Sequence, residues 1–316
     1  MKNYSSSTKV DSVYEYNKLS IEVAGIHLRN PLLLASGFLG ISQDIFNRLY
    51  KEGLGAIVSK SVSVSPLEGY KGPTVVSLGE KGYLNAIGLA NPGSDAFANE
   101  INNNQTPLIV SIVGSSTSEF PKLISKFDKL NILGYEINLS CPHVAKMGME
   151  VGDDPELVIK IIKTIKSKTK KPIIIKVGIG NTDILKLATI IQESGADAIT
   201  AINTIRAMAI NVETGMPILS NKIGGLSGIP LKPIGIRCVY EISKKVAIPV
   251  IGCGGIFTWE DALEYILAGA TAIELGSVIG YEGLKAFYQI KLGLIRYLEK
   301  KGYRNIKEIV GLAHQY

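Results

Sequence analysis

Two lysines of this sequence stand where lysine is seldom found, at the end of a short apolar run. Lys60 follows the run Ala56–Ser59, and Lys176 lies in the run Ile173–Val177. A buried lysine needs an anionic or accepting partner, although a single lysine at such a point can also extend its aliphatic stem toward solvent. For two such lysines, a shared anionic ligand is at least as good an explanation.

Glycines follow the last two apolar runs, in the segments Gly252–Gly255 and Gly276–Ser277. Glycine leaves backbone N–H groups open to a ligand, and the helix that follows adds the positive end of its dipole. Because two loops agree, the pattern predicts a phosphate site, whereas a single glycine pair would only indicate a turn.

The segment Asn138–His143 reads Asn-Leu-Ser-Cys-Pro-His and places Cys141 in a polar loop. A thiol, whose ordinary pKa is about 8.5, can act as a base or nucleophile when its surroundings assist it. Cys238, on a predicted helix, better fits a small buried apolar residue. Ser140 is the alternative base, because neighbours in an extended loop point to opposite sides. Amide groups for a planar polar substrate are available from Asn85, Asn138, Asn203 and Asn221.

Short apolar runs alternate with amphipathic helical patterns along the chain. The runs are Leu32–Ala35, Ala56–Ser59, Leu108–Ser111, Tyr135–Asn138, Ile173–Val177, Ala198–Ile202, Val250–Gly252 and Ala272–Leu275. The helical patterns are Ser42–Glu52, Ser94–Asn103, Glu119–Leu130, Asp154–Lys170, Thr182–Ser194, Lys232–Lys245, Trp259–Ala268 and Gly283–Lys300. Brief β-branched runs are typical of buried parallel strands. The alternation therefore predicts an α/β fold, a closed (β/α)8 TIM barrel, with a doubly wound sheet as the alternative.

Chemistry in such barrels lies at the carboxyl ends of the strands, which is where the lysines, the glycine loops and Cys141 occur. Two long connections, Ser61–Pro92 and Arg206–Ile229, are expected to be functional because long loops in compact domains usually are. Leu19–Val23 and Ile26–Leu28 predict a small N-terminal β-hairpin that caps the barrel floor. We expect one domain over residues 1–316, with residues 1–18 flexible or loosely packed.

Composition excludes several classes of protein. The 316 residues are 46% hydrophobic and carry a net charge of +6, but the basic residues are spread along predicted helices, which disfavours a nucleic-acid binder. The three cysteines form no Cys-x-x-Cys pair, so no four-cysteine zinc or iron–sulfur site is expected. No apolar run reaches about 18 residues, so no membrane span is expected. The polar start and few cysteines predict a cytoplasmic protein.

Taken together, the motifs from Leu19 to Ser277 resemble those of the dihydroorotate dehydrogenases, in the family's order. The most specific are Leu84–Leu89, Asn91–Gly93, Asn138–Pro142, Ile202–Thr204, Pro217–Asn221, Gly224–Gly228 and Gly254–Ile256. In having cysteine at position 141 the sequence resembles class 1 of the family, because class 2 members carry serine there. The strings Leu-Asn-Ala-Ile-Gly-Leu and Pro-Ile-Leu-Ser-Asn resemble the heteromeric, NAD-linked subclass.

The resemblance implies FMN as cofactor and dihydroorotate as substrate. By match, the FMN-lining residues are Ser36, Lys60, Ser61, Asn138, Lys176, Ile202, Gly225, Gly254, Gly255, Gly276 and Ser277. The residues implied for the substrate are Lys60, Asn85, Ala86, Ile87, Gly88, Leu89, Asn138, Asn203 and Thr204. Cys141 is implied as the base that removes a proton from ring carbon 5, and Lys176 as the charge that balances the reduced flavin.

The subclass resemblance further implies a partner subunit with FAD and an iron–sulfur cluster, around a homodimeric core. Two positions and one segment depart from the family pattern. His143 and Ser111 stand where asparagine is usual, and Glu68–Pro73 replaces an arginine- and proline-rich stretch. His143 together with Asp154–Val158 also resembles the pyrimidine-reducing part of dihydropyrimidine dehydrogenase. Reduction of uracil or thymine is therefore one alternative, and a non-redox phosphate-binding lyase or isomerase is another.

Overall fold

Eight parallel strands close into a barrel in the computed structural model, which describes residues 17–139 and 151–316. Numbered along the chain, the strands are β1 Ile21–Val23, β2 Ile26–Leu28, β3 Leu32–Leu34, β4 Ala56–Val58, β5 Val75–Gly79, β6 Gly82–Asn85, β7 Leu108–Ile112, β8 Gly134–Asn138, β9 Ile173–Val177, β10 Ala198–Ala201, β11 Ile205–Met208, β12 Ile210–Asn211, β13 Met216–Pro217, β14 Ile223–Gly228, β15 Val250–Cys253 and β16 Ala270–Leu275. The barrel order is β3-β4-β7-β8-β9-β10-β15-β16, closing on β3. The predicted (β/α)8 architecture is confirmed.

Helices connect the barrel strands and cover them. They are α1 Gln43–Lys51, α2 Gly93–Glu100, α3 Glu119–Phe127, α4 Pro155–Lys166, α5 Ile184–Glu193, α6 Lys232–Lys245, α7 Trp259–Leu267, α8 Val278–Glu282 and α9 Lys285–Lys301. Helix α4 begins as its sequence predicts, because the Asp154 carboxylate accepts from the Leu157 N–H at 3.0 Å. The short helix α8 precedes the pattern predicted from Gly283 and was not predicted.

The N-terminal hairpin is confirmed, with β1 and β2 antiparallel and their inward residues buried. Its turn, Ala24–Gly25, shares a surface hollow with Ala196–Asp197 and Ile248–Pro249. These last two segments precede β10 and β15, so the hairpin lies at the amino-terminal end of the barrel, opposite the expected chemistry.

A second sheet, absent from the sequence predictions, is built by the two long connections. It is antiparallel in the order β11-β14-β6-β5, so residues of the first connection pair with residues of the second. Its strands carry glycines such as Gly224 and Gly225, which weaken the sequence signal for a strand. The two predicted functional loops therefore meet in one ordered structure.

The N-terminal expectation falls mostly outside the described residues, which begin at Asn17. Lys18 donates its ammonium to the carbonyl of Tyr303 at 2.8 Å. Among the helices of residues 17–139 and 151–316, none is both long and apolar enough to cross a membrane.

Candidate active site

A row of polar side chains runs around the carboxyl ends of the barrel strands. The Ser61 hydroxyl is central to it, at 2.9 Å from the Ser111 hydroxyl and 3.4 Å from that of Ser36. Asn138 donates its amide to Ser61 at 3.2 Å, and Asn203 donates to the amide oxygen of Asn138 at 3.4 Å. Five residues at or near the carboxyl ends of different strands are thus brought together, and Ser111, a departure from the family pattern, is part of the row.

Lys176 extends from β9 into the barrel interior and is only 4% exposed. Its ammonium lies 2.5 Å from Oε2 of Glu274 on β16 and 4.0 Å from Oε1 of Glu136 on β8. Burial alone would lower the pKa of the Lys176 ammonium, but the acidic groups that face it, including the Glu274 carboxylate that it contacts, raise it above its ordinary value. The expected anionic partner of this lysine is therefore a carboxylate of the protein itself, and the lysine stays charged.

Lys60 differs from Lys176 because it is only half-buried. Its backbone N–H is bonded to the carbonyl of Gly40 at 2.7 Å, which fixes the chain where the side chain begins. Burial lowers the pKa of the Lys60 ammonium, so loss of its proton is easier than for a lysine in water. An anion bound beside it would favour the charged form.

The second sheet places the substrate-binding candidates beside the row. The Asn85 amide donates to the carbonyl of Gly225 at 3.1 Å, and Thr204 lies directly against Gly225. Any side chain at Gly225 would collide with the Thr204 hydroxyl, which explains the glycine. The turn after β6 includes Gly88 and Leu89, both with positive φ. Ala86 is buried, and Ile87 is half-buried.

The glycine loop after β15 is held from below by Tyr265 of α7. The Tyr265 hydroxyl donates to the carbonyl of Gly254 at 2.7 Å, and its ring is fully buried. Gly255 has φ +67, and a Cβ there would lie 2.6 Å from the carbonyl oxygen of Gly228. Glycine is therefore required at a point where two loops nearly touch.

Asp261, also on α7, anchors the same loop from its other end. Its carboxylate accepts from the backbone N–H groups of Phe257 and Thr258, both at 2.9 Å, and from the Lys232 ammonium at 2.7 Å. Burial would raise the pKa of Asp261, but these donors hold it below its ordinary value. After β16, Gly276 packs on Phe38, and the buried Ser277 leads into helix α8.

Three of the residues discussed in the sequence lie outside the described residues: Ser140, Cys141 and His143. The chain on either side is fixed, since the Gly152 N–H bonds to the carbonyl of Leu139 at 3.3 Å. Asp153 then accepts from the backbone N–H groups of Asn181 and Thr182. Both ends of the Cys141 segment therefore lie at the carboxyl end of the barrel.

Sequence reasoning did not single out Glu136, Glu274, Tyr265 and Asp261. A signal existed for the two glutamates, because an acidic residue inside an apolar strand is as unusual as the lysine that was noticed. No comparable signal marks Tyr265, whose role depends on packing between a helix and a loop. Ile202 is buried, as its strand-end position predicts, and its N–H bonds to the carbonyl of Cys253 at 3.0 Å.

Comparison with known proteins agrees with this geometry. The sequence profile of the family described as dihydroorotate dehydrogenase matches residues 18–298. The chain belongs to the dihydroorotate dehydrogenase family. It is 44% identical to proteins of Pyrococcus furiosus, Pyrococcus horikoshii and Thermococcus kodakarensis, each named dihydroorotate dehydrogenase B (NAD(+)), catalytic subunit. The alignments cover 94%, 93% and 94% of this chain and 99%, 97% and 98% of the relatives.

Membership makes the chain an oxidoreductase of a family whose members use a flavin. The fold and the position of the polar row agree with such an enzyme, because ligands of α/β barrels bind at the carboxyl ends of the strands. The words "catalytic subunit" in the names of these relatives state that those proteins work with a further subunit.

Proposed function

We propose that this chain is the FMN-binding catalytic subunit of a dihydroorotate dehydrogenase that oxidises dihydroorotate to orotate in pyrimidine biosynthesis. The observation that carries the proposal is the polar row of Ser61, Asn138 and Asn203 beside the charged, buried Lys176, in a chain that matches the family over most of its length. This combination supplies amide and hydroxyl groups for a planar, polar ligand and a positive charge next to them.

The residues present fit FMN. Gly254, Gly255, Gly276 and Ser277 would hold the phosphate, because they follow the last two barrel strands, where barrels of this kind usually bind phosphate. Gly225, where Thr204 leaves no room for a side chain, would present only its backbone to the flavin. Ser36, Lys60, Ser61, Asn138, Lys176 and Ile202 would complete the lining. FMN, when bound, supplies the acceptor for the hydride that leaves ring carbon 6 of the substrate.

The substrate would be held between the polar row and the second sheet. Asn138 and Asn203 offer amides, and Lys60 offers a charge to the carboxylate of dihydroorotate. The substrate contacts proposed from the second sheet and its turn are Asn85, Ala86, Ile87, Gly88, Leu89 and Thr204. Cys141, two positions after the last described residue of its segment, Leu139, would remove the proton from ring carbon 5.

A partner is proposed to carry the electrons away. Relatives that align over nearly their whole length are named dihydroorotate dehydrogenase B (NAD(+)), catalytic subunit, and the three cysteines of this chain form no Cys-x-x-Cys pair. We propose a partner with FAD and an iron–sulfur cluster, bound to a homodimer of this chain. Co-purification from the native source should yield such a flavoprotein. Full-rate reduction of NAD by the isolated chain would exclude the need for it.

The decisive experiment is anaerobic flavin reduction followed by stopped flow. The FMN-loaded protein should be reduced by dihydroorotate but far more slowly by dihydrouracil, which lacks the carboxylate that Lys60 would bind. Cys141→Ala should retain FMN and orotate binding but slow reduction about 100- to 10,000-fold, with Ser140→Ala as the matched control. Fast reduction by dihydrouracil alone would favour the pyrimidine reductase, and a slow Ser140→Ala with a normal Cys141→Ala would move the base to Ser140.

A further inference from the structure

Three acid–base side chains and one hydroxyl lie inside the barrel, below the polar row. Glu136, Thr200 and Glu274 are 0 to 1% exposed, and Lys176 is 4% exposed. They come from β8, β10, β16 and β9 respectively, so four strands converge on one buried cluster. Ionised groups in such surroundings are costly unless they are paired. The number of charges in the cluster is therefore tightly constrained.

The two carboxyl groups are not equivalent toward the lysine. Oε2 of Glu274 lies 2.5 Å from the Lys176 ammonium, a charge-assisted hydrogen bond, whereas the nearest oxygen of Glu136 lies 4.0 Å away. That Glu136 oxygen, Oε1, is buried and has no hydrogen-bond partner among the described residues. An ionised carboxylate with a bare buried oxygen is strongly disfavoured. The geometry therefore assigns the negative charge to Glu274.

Thr200 shows where the remaining proton is needed. Its hydroxyl oxygen lies 3.2 Å from Oε2 of Glu136 and 3.3 Å from Oε1 of Glu274. A threonine hydroxyl has a single hydrogen and can donate to only one of these oxygens. For both contacts to be hydrogen bonds, one carboxyl group must itself carry a proton and donate it to Thr200. Glu136, which lacks the short contact with lysine, is the group that can do so.

The neighbouring charges agree with this assignment. Burial, followed by the Glu274 charge, raises the pKa of Glu136 well above its ordinary value, although the Lys176 charge opposes this. Cys253, in register with Glu274, also faces the cluster; burial raises the pKa of its thiol to about 12, so the thiol is neutral. One positive and one negative charge then remain.

We propose that Glu136 and Glu274 share one proton and carry one negative charge between them. This negative charge offsets the charge of the Lys176 ammonium, and through Lys176 it sets the reduction potential of the flavin. The second half of the statement rests on the proposed function. An uncompensated ammonium would strongly favour the negative charge of a reduced flavin, and a second carboxylate would oppose it. Both glutamates act as positioning residues: Glu274 holds the Lys176 ammonium and offsets its charge, and Glu136 keeps the shared proton.

Gln substitutions test the charge count through the flavin potential, measured at slightly acid pH so that the lysine keeps its proton. Glu136→Gln replaces one neutral group with another and should leave the potential unchanged. In Glu274→Gln, Glu136 can ionise and replace the lost charge, so the shift should be small. The double variant has no carboxylate left. It should favour the reduced flavin about tenfold, which corresponds to an upward shift of ~30 mV for a two-electron couple.

Several outcomes would overturn the proposal. A shift in Glu136→Gln equal to that in Glu274→Gln, with the two adding in the double variant, means that both groups are ionised. An unchanged potential in the double variant means that the cluster does not act on the flavin. Thermal unfolding of each variant, beside the exposed control Glu260→Gln, shows whether the fold is kept.

Infrared spectroscopy of the FMN-free protein detects the shared proton directly. This measurement needs no flavin, and its main result comes from the wild-type protein. At neutral pH the wild-type protein should show the C=O stretch of one protonated carboxyl group. Glu136→Gln should lose this band, and Glu260→Gln should keep it. No band in the wild type overturns the shared proton, whatever the cofactor. A protein with the band that binds no FMN instead contradicts the proposed function.

Discussion

Replacing Tyr265 by phenylalanine removes a single oxygen from beneath the glycine loop. The hydroxyl lies 2.7 Å from the Gly254 carbonyl oxygen, while the carbonyls of Lys232 and Cys253 are each 3.5 Å away. Burial raises the pKa of Tyr265, so it remains a donor over the whole working pH range. Because the side chain is fully buried, water cannot easily take the place of the lost hydroxyl.

The magnitude follows from the hydrogen bond that is lost. A buried acceptor left without its donor costs about 1–3 kcal/mol, and we expect Tyr265→Phe to lower the free energy of unfolding by that amount. If the loop holds the cofactor phosphate, part of the same energy should appear as up to roughly tenfold weaker FMN binding, since tenfold equals about 1.4 kcal/mol.

Urea unfolding of the FMN-free protein and FMN titration measure the two effects separately. Tyr288→Phe is the matched control, because this tyrosine is 54% exposed and its change should leave both quantities within about 0.5 kcal/mol of wild type. A Tyr265→Phe protein as stable as wild type would refute the account of how the loop is held. Lost stability with unchanged FMN affinity would refute only the link from Tyr265 to the phosphate.

Three further substitutions test other parts of the site. Asp261→Ala should destabilise the protein by about 1–3 kcal/mol at neutral pH. Because folding lowers the pKa of Asp261, its stabilising effect is present above the pKa of the unfolded state and is lost as pH falls through the pKa of the folded state. Urea unfolding should therefore show that the stabilities of the variant and the wild type converge in acid. Gly255→Ala places a Cβ 2.6 Å from the Gly228 carbonyl oxygen, at a residue with φ +67. FMN titration should show at least roughly tenfold weaker binding by this variant. Equal FMN affinity would contradict the close contact between the Gly255 and Gly228 loops. If Lys60 contacts the substrate carboxylate, Lys60→Met should weaken orotate binding by about 10- to 100-fold, because a hydrogen bond to a charged group contributes about 1.5–3 kcal/mol. Unchanged orotate affinity in calorimetry would remove Lys60 from the substrate site.

Most of the barrel could be predicted from the sequence, because each barrel strand is marked by a local pattern of apolar residues. Each apolar run is followed by a helical pattern, and several of these patterns carry their own start signal, as at Asp154. Strand-end residues could be assigned to one rim without coordinates, since the carboxyl ends of parallel strands in a barrel all lie on one side. The row linking Ser61, Asn138 and Asn203 follows from that rule.

What the sequence did not reveal depends on pairing between distant segments. Lys176 was expected to need an anionic partner, but its partner Glu274 is 98 residues away and reaches it only through barrel closure. The sheet joining β6 and β14 was missed for the same reason, since β6 pairs with the distant β14 as well as with β5, and β14 pairs with β11 and β6 but not with its neighbour β13. Local patterns report what a segment can form, whereas these contacts depend on which segments meet.

The second sheet also bears on the order in which the molecule folds. Asn85 pairs with Gly225 at a sequence separation of 140 residues, and the chain between them includes four of the barrel strands, β7 to β10. Contacts between residues so far apart in sequence have a large entropy cost of loop closure, so they form slowly until the intervening segment has become compact. We expect β6 and β14 to acquire protection from hydrogen exchange after the barrel strands during refolding. Newly made chains would then pass through a stage with a finished barrel and an unfinished ligand face.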